Sequence, residues 1–227
     1  MRIVLLFVAG CAVALAVLVI APWARKPTLS AREELAIMAK SEGTGGRIVY
    51  PKGSTLSVDL PDGKQERVSS VLNVSYQMKF GSYVWDDKGV APGPLWIRID
   101  LGKQLLSVFR GPNEIGSTVI LYGTDGKPTP VGTFTIKSKS ADYHSRTYDA
   151  PMPFTLRLTD DGVAVHGSEV RNGSATHGCI GVPIEFAKLL FAQAKNGDPV
   201  YILPAPPGSD GTQPDAPATD VQAAAAI

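Results

Sequence analysis

One short stretch, VAVHGSEVRNGSATHGCIGVP (residues 163–183), holds two of the chain's three histidines and one of its two cysteines. In DGVAVHG, Val163 and Val165 fall on one face of an extended segment, Ala164 and His166 on the other, because strand side chains alternate. With the valines facing a core, the His166 imidazole becomes part of a pocket wall. A Gly/Ser/Asn-rich turn follows, then His177-Gly178-Cys179, with Pro183 shortly after on the approach to a helix. Such a turn can aim successive backbone N–H groups at one point, and a helix start lowers a thiol's pKa through its positive end. A free thiol of pKa ~8.5 is only a few per cent thiolate at neutral pH, so nucleophilic chemistry needs a nearby base or a depressed pKa. The parts for acyl transfer are therefore present.

Two other readings use the same residues. A lone cysteine also serves as a small core hydrophobe, and a lone histidine as a satisfied or exposed side chain. His144, His166, His177 and Cys179 together could offer nitrogen and sulfur to zinc. However, no His or Cys pair has i, i+3 or i+4 spacing on a helix, and His177 and Cys179 flank a turn poorly suited to two bonds on one ion. No metal and no cofactor are expected.

These residues must be positioned by strands. Gly (23) and Pro (18) are somewhat frequent, and with many Val, Thr and Ile they indicate short strands joined by turns. LWIRIDLGKQLLSVF (95–109), TVILYG (118–123), KPTPVGTFTIKSKS (127–140), FTLRLTDDGVAVHG (154–167) and PVYIL (199–203) are strand-like. This pattern predicts a mainly β sandwich or barrel, not a parallel α/β sheet. PIEFAKLLFAQAKNG (183–197) predicts one amphipathic helix, with Pro at its first turn, Phe186, Leu190 and Ala194 on one face and Gly197 as the stop. Residues 47–94 read as an N-terminal extension of short strands with a turn at PDGK (61–64), packing on the core. The tail from 204 to 227, rich in Pro, Ala, Asp and Gly, lacks an apolar pattern and is expected to be disordered.

At 227 residues the chain suits one domain with extensions. Lys plus Arg number 22 against 21 Asp plus Glu, which gives no electrostatic footprint for nucleic acid. The N-terminus is an apolar run, residues 3–20, which as a helix would be ~27 Å long, nearly a bilayer core yet also long for a signal sequence. Residues 1–24 thus read as a signal peptide or a membrane anchor, with a lipid-modified Cys11 as a third alternative. Arg25, Lys26 and Arg32 on the far side argue against a simple anchor. In each case export to the periplasm or cell envelope is expected, with inner-membrane anchoring through residues 3–20 as one form of it. Residues 25–46 then form a tether helix and linker, opened by a Ser30/Glu33 capping box. Because Cys11 belongs to the leader, Cys179 is the one thiol of the folded part and has no internal disulfide partner.

HGSEVRNGSATHGC, preceded by TPVGTF, resembles the L,D-transpeptidase (YkuD-type) catalytic domain, whose pattern is His-Gly on a strand, a variable turn, then Ser/Thr-His-Gly-Cys. The resemblance covers residues 95–203. It implies a β-sandwich with one or two short helices, to which the leader adds an N-terminal apolar helix. It also implies Cys179 as nucleophile, His166 as proton donor and acceptor, and the Gly167 carbonyl orienting that ring. Backbone N–H groups at His177, Gly178 and Cys179 would form the oxyanion hole, and Thr176 fills the Ser/Thr position. Residues 140–154 would be a loop capping the cleft, bringing Tyr148, Met152 and Phe154 to substrate. Many members carry Arg or Asn two residues after the cysteine. Here that position is Gly181, so its contacts must come from elsewhere, with Arg171 or Arg146 as candidates.

The implied reaction is acyl transfer on peptidoglycan peptide stems by a monomer: thioester formation at the third stem residue with loss of D-alanine, then resolution by a stem amine or an anchored protein. Carbapenems are implied as acylating inhibitors. The alternatives are a carboxypeptidase or endopeptidase using the same thioester, and a non-catalytic wall-binding module.

Overall fold

The computed structural model describes residues 46–51, 56–74, 77–123 and 126–205. The expected leader, the tether helix and the tail beyond Ala205 lie outside the described residues. Among the described residues no helix is long and apolar enough to cross a membrane.

The N-terminal part supplies β1 (Arg47–Val49), β2 (Ser57–Asp59), β3 (Gln65–Arg67), β4 (Ser70–Leu72) and β5 (Tyr83–Trp85). The rest supplies β6 (Leu95–Asp100), β7 (Leu105–Arg110), β8 (Asn113–Val119), β9 (Gly132–Thr135), β10 (Ser138–Ser145), β11 (Ala150–Arg157), β12 (Ala164–Ser168), β13 (Ile180–Pro183), α1 (Ile184–Gln193) and β14 (Pro199–Leu203). A large sheet runs β1-β4-β8-β7-β6-β14-β9, with β5 also on β8. A second sheet runs β10-β11-β12-β13, and β2 and β3 form a separate hairpin.

The two sheets share one core, as a mainly β sandwich requires. From the large sheet come Ile97, Ile99, Leu106, Val108, Val200 and Ile202; the small sheet supplies Leu156, Val165, Ile180 and Val182. Phe186, Ala187 and Leu190 of α1 are buried with them, the one apolar stripe that the helical spacing requires. Alternation along β6 sends Trp96 to the opposite face, where it stacks on Phe109 (ring centroids 4.0 Å apart) beside Val68 of the N-terminal part. That part is also bound on the α1 side: Trp85 meets Phe186 edge-on at 5.4 Å, and Asp87 accepts hydrogen bonds from Arg110 (3.1 Å) and Gln193 (3.0 Å).

Two expectations change. The strand expected at 118–123 is β8, which starts at Asn113; beyond Val119 the chain leaves the large sheet, touches the small one through Leu121 opposite Gly181, and runs on to set Gly123 beside Thr176 in the turn before β13. The loop expected over 140–154 is the hairpin of β10 and β11. Its strands escape an apolar-period reading because β10 is polar on both faces, exposed along most of its length.

Candidate active site

His166 and Cys179 are brought together by a parallel ladder. β12 and β13 pair with Val165 opposite Ile180 and His166 opposite Gly181. Extending that register by one residue sets Cys179 against Ala164, on the face that Ala164 and His166 share. Parallel neighbours cannot be joined by a tight turn; the chain must cross over and re-enter from the same end, which takes about a dozen residues. Glu169 to Cys179 is that crossover. The separation of the His-Gly and His-Gly-Cys motifs is therefore a topological requirement of the strand pair.

Val163 and Val165 join the core, and His166 does not, as alternation predicts. The residue is nevertheless only 8% exposed. Its Nδ1 lies 2.9 Å from the Gly167 carbonyl, so Nδ1–H donates there and Nε2 carries the free lone pair. Burial pushes the His166 pKa below its ordinary value, opposed by the bond to Gly167. Burial likewise pushes the half-buried Cys179 thiol up, opposed by the Ala164 N–H and the Lys127 charge. This corrects the expected helix-start effect: β13 intervenes between Cys179 and α1, and desolvation dominates. The resting thiol is neutral and points to the Gly162 carbonyl at 3.7 Å. No direct hydrogen bond joins it to His166 among those of the described residues.

The Thr176–Cys179 turn is tied down from several sides. Thr176 N–H donates to the Tyr122 carbonyl at 3.1 Å, and its hydroxyl donates to the Cys179 carbonyl. Gly178 has φ +98°, a conformation costly for any residue with a Cβ. Among the described residues, no main-chain carbonyl outside the helix and strand ladders accepts from the N–H groups of His177, Gly178 or Cys179. Sequence reasoning passed over Thr129, which is buried and whose hydroxyl donates to the Gly178 carbonyl at 3.0 Å while accepting from Gly123 N–H at 2.9 Å. The TPVGTF motif that begins at Thr129 was the available signal.

The remaining candidates scatter. Tyr148, at the β10–β11 tip, stacks on the exposed His177 ring with centroids 4.4 Å apart, and its hydroxyl lies 3.4 Å from Lys127 Nζ. Met152 is buried; Phe154 packs on Phe191 of α1. Arg171 is exposed and paired with Glu169 at 2.7 Å, and Arg146 is exposed. His144 pairs with Asp149 at the surface, away from the other histidines in the hydrogen-bond network. Among the described residues no three His, Cys, Asp or Glu side chains converge as metal ligands. Gly181 has a spatial reason: a Cβ there would lie 3.1 Å from Ser168 Cβ, 3.3 Å from its Oγ and 3.4 Å from Leu121 Cβ.

No curated protein matches the chain. Among solved structures, an L,D-transpeptidase from Stackebrandtia nassauensis is similar at 24% identity and a TM-score of 0.48, covering 52% of this chain and 60% of that one. A variant of the Enterococcus faecium L,D-transpeptidase (24%, 0.45) covers 49% and 50%, and Mycobacterium tuberculosis L,D-transpeptidase 1 (24%, 0.42) covers 49% and 62%. The chain thus spans about half to three fifths of these proteins. The YkuD family model, the L,D-transpeptidase catalytic domain, matches residues 94–202. The segment 94–202 is thereby identified, by its own family match, as an L,D-transpeptidase catalytic domain of the YkuD type.

Proposed function

We propose that this chain is a cysteine-dependent L,D-transpeptidase acting on peptidoglycan peptide stems in the cell envelope. The observation that carries the proposal is the β12–β13 ladder, which sets His166 and Cys179 on one face with the imidazole held by Gly167. Export is part of the proposal and rests on the apolar run at residues 3–20, since peptide stems lie outside the inner membrane.

The chemistry follows from two neutral groups. As Cys179 Sγ attacks the carbonyl carbon of the third stem residue, His166 Nε2 takes the thiol proton, and the Gly167 carbonyl stabilises the resulting imidazolium through Nδ1–H. The carbonyl π electrons move to oxygen, where the turn's N–H groups receive the charge. Collapse breaks the bond to D-alanine, whose nitrogen leaves with the proton from His166. A second amine then attacks the thioester, gives its proton to His166 and expels the Cys179 thiolate, forming a new amide; His166 Nε2 returns that proton to Sγ and the neutral pair is restored. With its pKa below the ordinary histidine value, His166 is unprotonated at neutral pH and free to accept.

Intact-mass measurement of the full chain with a tetrapeptide stem, with and without an acceptor amine, tests the proposal. A covalent adduct with loss of D-alanine, discharged faster by the amine and absent in Cys179→Ala, is expected. An adduct that survives in Cys179→Ala, or none in the wild type, refutes it.

A further inference from the structure

The main-chain donors of an oxyanion hole are only as good as the peptide planes that carry them. Here the critical plane joins Gly178 to Cys179, and Gly178 is the residue least able to hold it. With no Cβ, glycine rotates its flanking peptides at little steric cost. A neighbour must supply the restraint. Thr129 meets that requirement: it is buried, its hydroxyl donates to the Gly178 carbonyl at 3.0 Å, and the same oxygen accepts from Gly123 N–H at 2.9 Å.

Three further features make this a lock. In a trans peptide the C=O and N–H point in opposite directions, so fixing the Gly178 carbonyl on Thr129 aims Cys179 N–H away from Thr129. Thr129 lies between Pro128 and Pro130, whose rings fix φ at two positions and restrict the residues before them. Gly123 is packed so closely against the turn that a Cβ there would fall 2.7 Å from Gly178 N and 2.2 Å from the Lys127 carbonyl. The hydroxyl is thus held from one side by a rigid Pro-Thr-Pro segment and from the other by a glycine that lets the two main chains touch.

We propose that Thr129 is a positioning residue of the acyl-transfer site, holding the Gly178–Cys179 peptide so that Cys179 N–H faces the developing oxyanion. The inference rests on the transpeptidase reading. It separates two reactions of the same sulfur. Attack on a carbonyl generates an oxyanion and needs the hole, whereas displacement of iodide from iodoacetamide generates none. A defect in the lock slows only the first.

The experiment measures both on the full chain: saturating acylation rate and reversible affinity with a carbapenem, and alkylation rate with iodoacetamide, for wild type, Thr129→Val, Thr129→Ser and Gly123→Ala. Removing a single oxyanion donor costs about 10²–10³-fold, so misaiming one predicts a loss of roughly 10–100-fold in maximal acylation rate for Thr129→Val. Its reversible affinity and alkylation rate should stay within about twofold of wild type, which also certifies the fold. Thr129→Ser should restore acylation, and Gly123→Ala, whose Cβ would meet main-chain atoms at 2.2 and 2.7 Å and so displace the turn itself, should slow both reactions. Acylation unaltered in Thr129→Val overturns the proposal, as does a parallel fall in acylation and alkylation in that variant. A wild type that is alkylated yet acylated by neither a carbapenem nor a tetrapeptide stem refutes the transpeptidase reading itself, a result distinct from the other two.

Discussion

The desolvated thiol predicts an alkylation profile opposite to that of an ion-paired cysteine. A thiolate–imidazolium pair ionises the thiol well below pH 7, and its alkylation rate is flat from neutrality upward. Here burial raises the Cys179 pKa and lowers that of His166, with a neutral hydrogen-bonded thiol as the resting state. A free thiol near 8.5 is about 3% ionised at pH 7; Cys179, pushed above its ordinary value, is less so. Iodoacetamide labelling followed by intact mass from pH 6 to 10 should therefore accelerate by more than about 30-fold between pH 7 and its plateau, still climbing at pH 8.5. Stability should fall at both ends. Below about pH 6.5 the unfolded imidazole takes up a proton that the native ring resists, and above about pH 8.5 the unfolded thiol ionises while the native one does not. Each limb slopes by at most ~1.4 kcal/mol per pH unit. Urea unfolding across this range should show the alkaline limb flattened in Cys179→Ala and the acid limb flattened in His166→Gln. A labelling plateau reached by pH 7 would refute the argument that desolvation dominates at this thiol.

Two further predictions concern packing. Gly181→Ala should cost roughly 1–3 kcal/mol by overpacking Ser168 and Leu121, and Ser168→Gly in the same chain should recover part of that loss; additive costs in urea unfolding would refute the contact. Phe186→Ala should cost roughly 3–5 kcal/mol, because the buried ring is the edge-on partner of both Tyr83 and Trp85, and the same variant should admit protease to residues 77–94 before the core; uniform cleavage would refute that linkage.

The residues of the candidate site were legible because their spacing is chemical and topological at once. Alternation in DGVAVHG was enough to separate His166 from the valines of the core, and the motif carried Cys179, while the helix at Ile184–Gln193 followed from Phe186 and Leu190, the third residue of the expected stripe, Ala194, being buried at its C-cap. What could not be read was the thiol's environment, since desolvation depends on which strands close around Cys179 and not on the residues beside it in sequence. Thr129 was hidden for the same reason: its partner, Gly178, lies 49 positions away. The β10 strand was missed beyond Ser140 because neither face is apolar, so its place is set by main-chain pairing with β11.

The position of β14 governs how the chain can acquire its fold. Pro199–Leu203 lies inside the large sheet, parallel to β6 and antiparallel to β9, which has no other strand partner among the described residues. Val200 pairs with Ile97 across about a hundred residues, the kind of non-local contact that carries a high closure entropy and slows folding. A ribosome-bound chain that has emerged only as far as α1 leaves the edge of β6 unpaired and β9 unsupported, with both motifs already synthesised. The sheet is completed only when residues 199–203 are available to pair with β6 and β9.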